Sequence, residues 1–80
     1  MAKRQVQFTF PEELTKEPII YKLGIKFNVV TNIRRADITA HKGWVVLELE
    51  GAEKDIERGL AWVESTGVRV DPVVGDIIEG

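Results

Sequence analysis

Trp44-Val45-Val46-Leu47-Glu48-Leu49-Glu50 is the stretch on which the reading of this chain turns. Val45, Leu47 and Leu49 recur at every second position, and Trp44, Val46, Glu48 and Glu50 fill the positions between. Successive side chains of a strand point to opposite faces, so the first set belongs to a core and the second to the other side of a sheet. Gly51 ends the run. Just upstream, His41-Lys42-Gly43 is a turn short enough for an antiparallel hairpin, with Gly43 able to take a positive φ. The other arm of that hairpin is Val29 to Ala40, in which Ala36, Ile38 and Ala40 alternate with Arg35, Asp37 and Thr39. Ile33 is out of phase with this set, and a β-bulge near Arg34 would return it to the same side.

A helix is expected on each side of the hairpin. Upstream, Ile20, Leu23 and Phe27 recur at i, i+3 and i+7 with Ile19 beside them, which makes one helical face. Thr15 is the expected N-cap, Pro18 lies in the first turn where its missing N–H costs little, and Asn28 suits the C-cap. Gly24 weakens this helix by about 1 kcal/mol relative to Ala, which suggests a close packing contact. Downstream, Ala52 to Thr66 places Ile56, Leu60 and Val63 on one stripe, Trp62 beside it at the edge of the core, and Gly67 after the last turn.

Strands are expected at both ends. Arg4 to Phe10 alternates Val6, Phe8 and Phe10 with Gln5, Gln7 and Thr9, and Pro11 closes it. Val68 and Val70 alternate with Arg69 and Asp71, and Pro72 follows. The order β-α-β-β-α-β is the split βαβ pattern of a ferredoxin-like α+β fold: a four-stranded antiparallel sheet with both helices on one face. The uncovered face should carry Gln5, Gln7, Thr9, Trp44, Val46, Glu48 and Arg69. Residues 1–74 are expected to form the domain and 75–80 a C-terminal tail.

The 80 residues suit one domain with a modest core. Eleven basic and thirteen acidic residues give a net charge of −2, without the basic excess of most nucleic-acid binders. One outward aromatic, Trp44, is also too little for a base-stacking platform. There is no cysteine, which removes disulfides, thiolate nucleophiles, iron–sulfur ligation and cysteine-type zinc sites. No apolar run reaches the ~20 residues of a membrane span and no signal core opens the chain, so a cytoplasmic location is expected. His41 is the single histidine and sits in a turn without a nucleophile constellation. Glu48, Glu50, Glu53, Asp55 and Glu57 read as solvated carboxylates, and Pro11-Glu12-Glu13 would repel the phosphate that an acylphosphatase binds after its first strand. The expectation is a non-enzymatic protein with no cofactor, no catalytic residues and no metal site. Trp44 and Val46 make an apolar patch on the uncovered face. They suit a symmetric face-to-face dimer, or else a cover formed by Val73, Val74, Ile77 and Ile78 folding back.

From Phe27 to Val70 the chain resembles the NIL domain family. The resemblance is carried by Phe27-Asn28-Val29, Asn32-Ile33, Ala36-Asp37-Ile38, Gly43 to Gly51, Ala61-Trp62-Val63 and Gly67 to Val70, and Val6 to Phe10 also fits. The family takes its name from an Asn-Ile-Leu triplet; this chain has Asn32-Ile33-Arg34, with the Leu replaced. The resemblance implies a ferredoxin-like domain related in shape to ACT-type amino-acid sensors. In methionine importers such a module follows the ATPase, pairs with its copy and binds methionine at the interface, which holds the transporter inactive. In other members it precedes a four-iron–four-sulfur ferredoxin segment. Carried over to this chain, it implies a methionine-like ligand at Asn32, with Ile33 as a wall and Arg34 near the ligand carboxylate or intruding on a thioether pocket. It also implies pairing with a second copy, which the apolar patch places at Trp44 and Val46, and a transporter or iron–sulfur protein as partner. A ligand-free dimerisation or docking module is the alternative. No ATPase and no cysteine motif lies within these residues, so the domain is read either as a natural stand-alone protein or as a part of a longer one.

Overall fold

The computed structural model describes residues 1–73. Its elements are β1 (Ala2–Phe10), a single 3-10 turn (Glu12–Leu14), α1 (Ile19–Phe27), β2 (Val30–Ile38), β3 (Gly43–Gly51), α2 (Glu53–Ser65) and β4 (Arg69–Pro72). The strands form one sheet in the order β2-β3-β1-β4, every neighbouring pair antiparallel. This is the expected ferredoxin-like α+β fold. The tail expected over 75–80, and Val74, Ile77 and Ile78 with it, lie outside the described residues.

One continuous core lies between the sheet and the helices. Val6, Phe8 and Phe10 of β1 and Val45, Leu47 and Leu49 of β3 meet Ile19 and Leu23 of α1 and Ile56 and Val63 of α2. The alternation read from the sequence therefore assigns the right face to both central strands. Directly opposite residues of an antiparallel pair share a face. Gln5 pairs with Glu48, Gln7 with Val46, and Thr9 with both Trp44 and Arg69, so all seven residues expected on the uncovered face stand there.

The bulge is where the phase break put it. Ile33 pairs with Leu47 and Arg35 with Val46, leaving Arg34 as the extra residue. Ile33, Ala36 and Ile38 consequently share the helix side of the sheet. The helices do not reach them: every residue of β2 except Thr31 is exposed.

Several local expectations are corrected. Thr15 does not cap α1. Its hydroxyl donates backward to the Glu12 carbonyl at 3.0 Å, closing the 3-10 turn, and α1 starts after Pro18, which offers no side-chain cap. The deepest residues of α1 are Ile19 and Leu23, with Ile20 and Phe27 only partly buried. On α2 it is Gly59, not Leu60, that is fully buried between Ile56 and Val63. β2 stops at Ile38, so Ala40 lies in the connection. Thr39 organises that connection: its N–H and hydroxyl both donate to the Lys42 carbonyl at 2.8 and 2.9 Å, and its Oγ1 accepts from the His41 and Lys42 N–H groups at 3.2 Å. Gly43 has no positive φ; a β-carbon there would lie 3.0 Å from the Ile38 side chain. Asn28 does take the left-handed C-cap conformation (φ 58°) and Gly67 follows α2 at φ 108°. Gly24 does mark a close contact, 3.1 Å between a β-carbon placed there and the Val29 carbonyl. Trp62 sits at the core edge as expected, packed on Phe27 at 5.9 Å between centroids with the Lys26 ammonium 4.9 Å over its ring.

Candidate ligand site on the open sheet face

The register lays the open face out in rows that run across the strands. Asn32 of β2 stands opposite Glu48 of β3, and Glu48 stands opposite Gln5 of β1. In the next row are Arg35, Val46, Gln7 and Asp71, and in the next Asp37, Trp44, Thr9 and Arg69. Side chains directly opposite on one face have β-carbons about 4.5–5.5 Å apart, so each row is a set of facing neighbours.

The first row is polar and partly unsatisfied. Asn32 is exposed, Glu48 and Gln5 are half-buried. The Gln5 Oε1 atom is buried and has no hydrogen-bond partner among the described residues. A buried acceptor without a donor costs about 1–3 kcal/mol, which a donor on a bound molecule would relieve. The backbone here is tied down: the Gln5 carbonyl accepts from Val73 N–H at 3.2 Å, extending the β4 ladder by one bond. Asn32 amide, Glu48 carboxylate and Gln5 carbonyl together offer acceptors for an ammonium group, and the Arg35 guanidinium one row away offers donors for a carboxylate. Among the described residues Arg35 has no ion-pair partner, whereas Arg69 is already held by Asp71 at 3.1 Å.

The residues singled out in the sequence do not all converge. Asn32 and Ile33 are neighbours in sequence and so project to opposite faces: Asn32 to the open face, Ile33 to the helix side, 55% exposed. Arg34 is the exposed bulge residue between them and Arg35. Trp44 and Val46 do share the open face. Val46 is only 3% exposed, because Gln7, Arg35 and its own strand neighbours flank it, and Trp44 is half-buried. Glu48 and Gln5 were expected on this face but not as site residues; only the pairing register brings them into one row with Asn32.

Two concavities flank these features. A shallow one of about 330 Å³ lies on the open face among Gln7, Thr9, Asp37, Lys42 and Trp44. An apolar one of about 150 Å³ opens between α1 and the end of β2, lined chiefly by Phe10, Ile19, Ile20, Tyr21, Ile38 and Val45. His41 is exposed in its turn, with Nδ1 3.3 Å from Glu12 Oε2. Among the described residues no group of three or more His, Cys, Asp or Glu side chains is placed to hold a metal ion, and no helix is long and apolar enough to cross a membrane.

The model of the NIL domain matches residues 4–72, nearly the whole described chain. The chain belongs to the NIL domain family. Among solved structures, this NIL domain is similar to the C-terminal domain of an ABC transporter ATP-binding protein from Enterococcus faecalis. The two share 22% identity over 88% of this chain and 82% of the other, with a TM-score of 0.79, which establishes a common fold. No curated protein matches.

Proposed function

We propose that this NIL domain is a non-enzymatic regulatory module of the cytoplasm that binds methionine, or a closely related sulfur amino acid, on the open sheet face beside Asn32. The observation that carries the reading is the row Asn32–Glu48–Gln5, inside a NIL domain match that spans residues 4–72. The Asn of the family triplet stands there beside a carboxylate and an unpaired buried acceptor. The ligand ammonium group donates to Glu48 and to Gln5 Oε1, Asn32 bonds the α-carbon polar groups, and Arg35 attracts the carboxylate. Ile33, on the other face, supports β2 rather than touching the ligand, and Arg34 stands at the rim. Because Asn32 belongs to an edge strand, the site borders whatever pairs with that edge, so the ligand couples to pairing by stabilising one arrangement of two copies.

Calorimetric titration with L-methionine tests this, with Asn32→Ala in parallel. Saturable heat for the native chain that is lost in the variant is the expected result. Saturable heat in both rejects the site, and none in either rejects the ligand. In that last case the exposed apolar residues of β2 favour the second reading, a docking module without ligand that serves a transporter or an iron–sulfur partner.

A further inference from the structure

The open face carries a second feature that the Asn32 row does not use. Trp44 stands four residues before Glu48 on β3, and a strand advances about 3.2–3.4 Å per residue, so the two lie about 13 Å apart on one face. Around Trp44 is the concavity of about 330 Å³, lined by Gln7, Thr9, Asp37, Lys42 and Gly43. The pairing register sets Asp37 on one side of Trp44 and Thr9 on the other. Among the described residues the side chains of Gln7, Thr9, Asp37 and Lys42 make no hydrogen bond and no ion pair. No described residue stacks on the Trp44 ring, whereas Trp62 is engaged by Phe27 and Lys26. The floor is thus a half-buried indole ringed by unengaged donors and acceptors. Such a set suits a small ligand with a planar ring and a polar rim.

We propose that this pocket takes a nucleoside, and that together with the Asn32 row it binds a sulfur amino acid carrying an adenosyl group on its sulfur. The proposal rests on the reading of Asn32, Glu48 and Gln5 as an amino-acid site and enlarges the ligand that lies there. Every nucleobase offers a π-face, which is what Trp44 can receive. One stacking residue is too little for a nucleic-acid strand but enough for a single base. The Gln7 amide matches the donor and acceptor that adenine presents at N6 and N7. The Asp37 carboxylate accepts from ribose hydroxyls, as an acidic side chain does in dinucleotide sites. The two formal charges of the pocket, Asp37 and Lys42, are of opposite sign, which suits a nucleoside without phosphates. The separation of the two features decides how their ligands connect. In an adenosyl amino acid two methylenes, the sulfur and the ribose stand between the α-carbon and the base. Extended, these span a length comparable to that from Glu48 to Trp44. The linking chain crosses the row of Arg35, Val46, Gln7 and Asp71. Free methionine occupies only one end of this strip.

Titration with S-adenosyl-L-homocysteine, L-methionine and adenosine tests this, by calorimetry and by fluorescence of a Trp62→Phe chain in which Trp44 is the single tryptophan. S-adenosyl-L-homocysteine is expected to bind about tenfold or more tighter than L-methionine, because it joins two sites. It should change the Trp44 emission, and L-methionine should not. Trp44→Ala and Asp37→Ala should each weaken the adenosyl ligand by about tenfold and leave L-methionine unaffected, while Asn32→Ala weakens both. Neither Trp44 nor Asp37 belongs to the core cluster, so both variants should fold. An adenosyl ligand that binds no tighter than L-methionine, or equally well in both pocket variants, overturns the proposal and leaves the methionine reading standing. Adenosine that equals S-adenosyl-L-homocysteine in affinity, with both indifferent to Asn32→Ala, overturns it too, since the pocket then takes a nucleoside unconnected to the row. Adenosyl-ligand binding that is lost with Asn32→Ala, while free L-methionine gives no heat, supports the proposal and rejects only the free amino acid. No binding of any of the three overturns both readings.

Discussion

Asn32 and Glu48 stand directly opposite one another on the open face of β2 and β3, and Gln5 continues their row onto β1. A carboxylate beside the family asparagine gives the site a charge matched to an ammonium group. A hydrogen bond to a charged group is worth about 1.5–3 kcal/mol. If the proposed methionine site is correct, Glu48→Ala should therefore weaken methionine binding by about tenfold or more while leaving the fold unchanged, since Glu48 is half-buried and belongs to no ion pair among the described residues. Titration calorimetry of the variant, beside a thermal melt, checks it; unchanged affinity would exclude Glu48 as the ammonium partner.

Leu47 lies at the centre of the same strand but on the other face, fully buried in the core cluster. Truncating a buried leucine removes its transfer free energy and leaves a cavity. Leu47→Ala should cost about 2–5 kcal/mol in urea unfolding. A loss under about 1 kcal/mol would mean that the surroundings collapse into the space.

These two neighbours illustrate what the sequence could and could not disclose. Strand alternation separates Leu47 from Glu48 without any structure, and the broken phase at Ile33 announces the bulge at Arg34. The same pattern cannot say that Glu48 faces Asn32 and Gln5, because pairing register is a property of two strands at once. Nor can it say that β2 is an edge beyond the reach of the helices, so Ile33 and Ile38, patterned as core, are exposed. Turn and cap chemistry was equivocal for a local reason. Thr15 and Thr39 each carry a hydroxyl able to bond forward or backward; Thr15 bonds back to Glu12 and ends a turn, while Thr39 organises a loop. Two of the glycines are explained only by contacts made elsewhere in the chain, Gly43 by Ile38 and Gly59 by Leu23.

Gly67 is explained locally. Its φ of 108° after the last turn of α2 lies where a β-carbon is strained, and a β-carbon there would also come within 3.3 Å of Leu14 Cδ1. Gly67→Ala should lower stability by about 1–2 kcal/mol despite stiffening the unfolded chain. Chemical denaturation that shows an unchanged or raised midpoint would indicate that the chain reverses direction by another route.

At Gly59 two effects of opposite sign compete. Alanine favours a helix by about 1 kcal/mol over glycine, so on α2 alone Gly59→Ala would stabilise. The added β-carbon, however, would lie 2.6 Å from Leu23 Cδ1 and 3.5 Å from the Phe27 side chain, on the helix that packs against it. Leu23 is fully buried and has little freedom to retreat. Overpacking a filled site costs about 1–3 kcal/mol, so the net change should be a loss of about 1 kcal/mol. The companion variant Gly59→Ala/Leu23→Val separates the terms. With the obstructing methyl drawn back, Gly59→Ala should cost less in the Leu23→Val background than in the native one, and a double-mutant cycle of unfolding free energies reads that coupling directly. Additive losses would mean that α1 shifts as a body rather than yielding at Leu23.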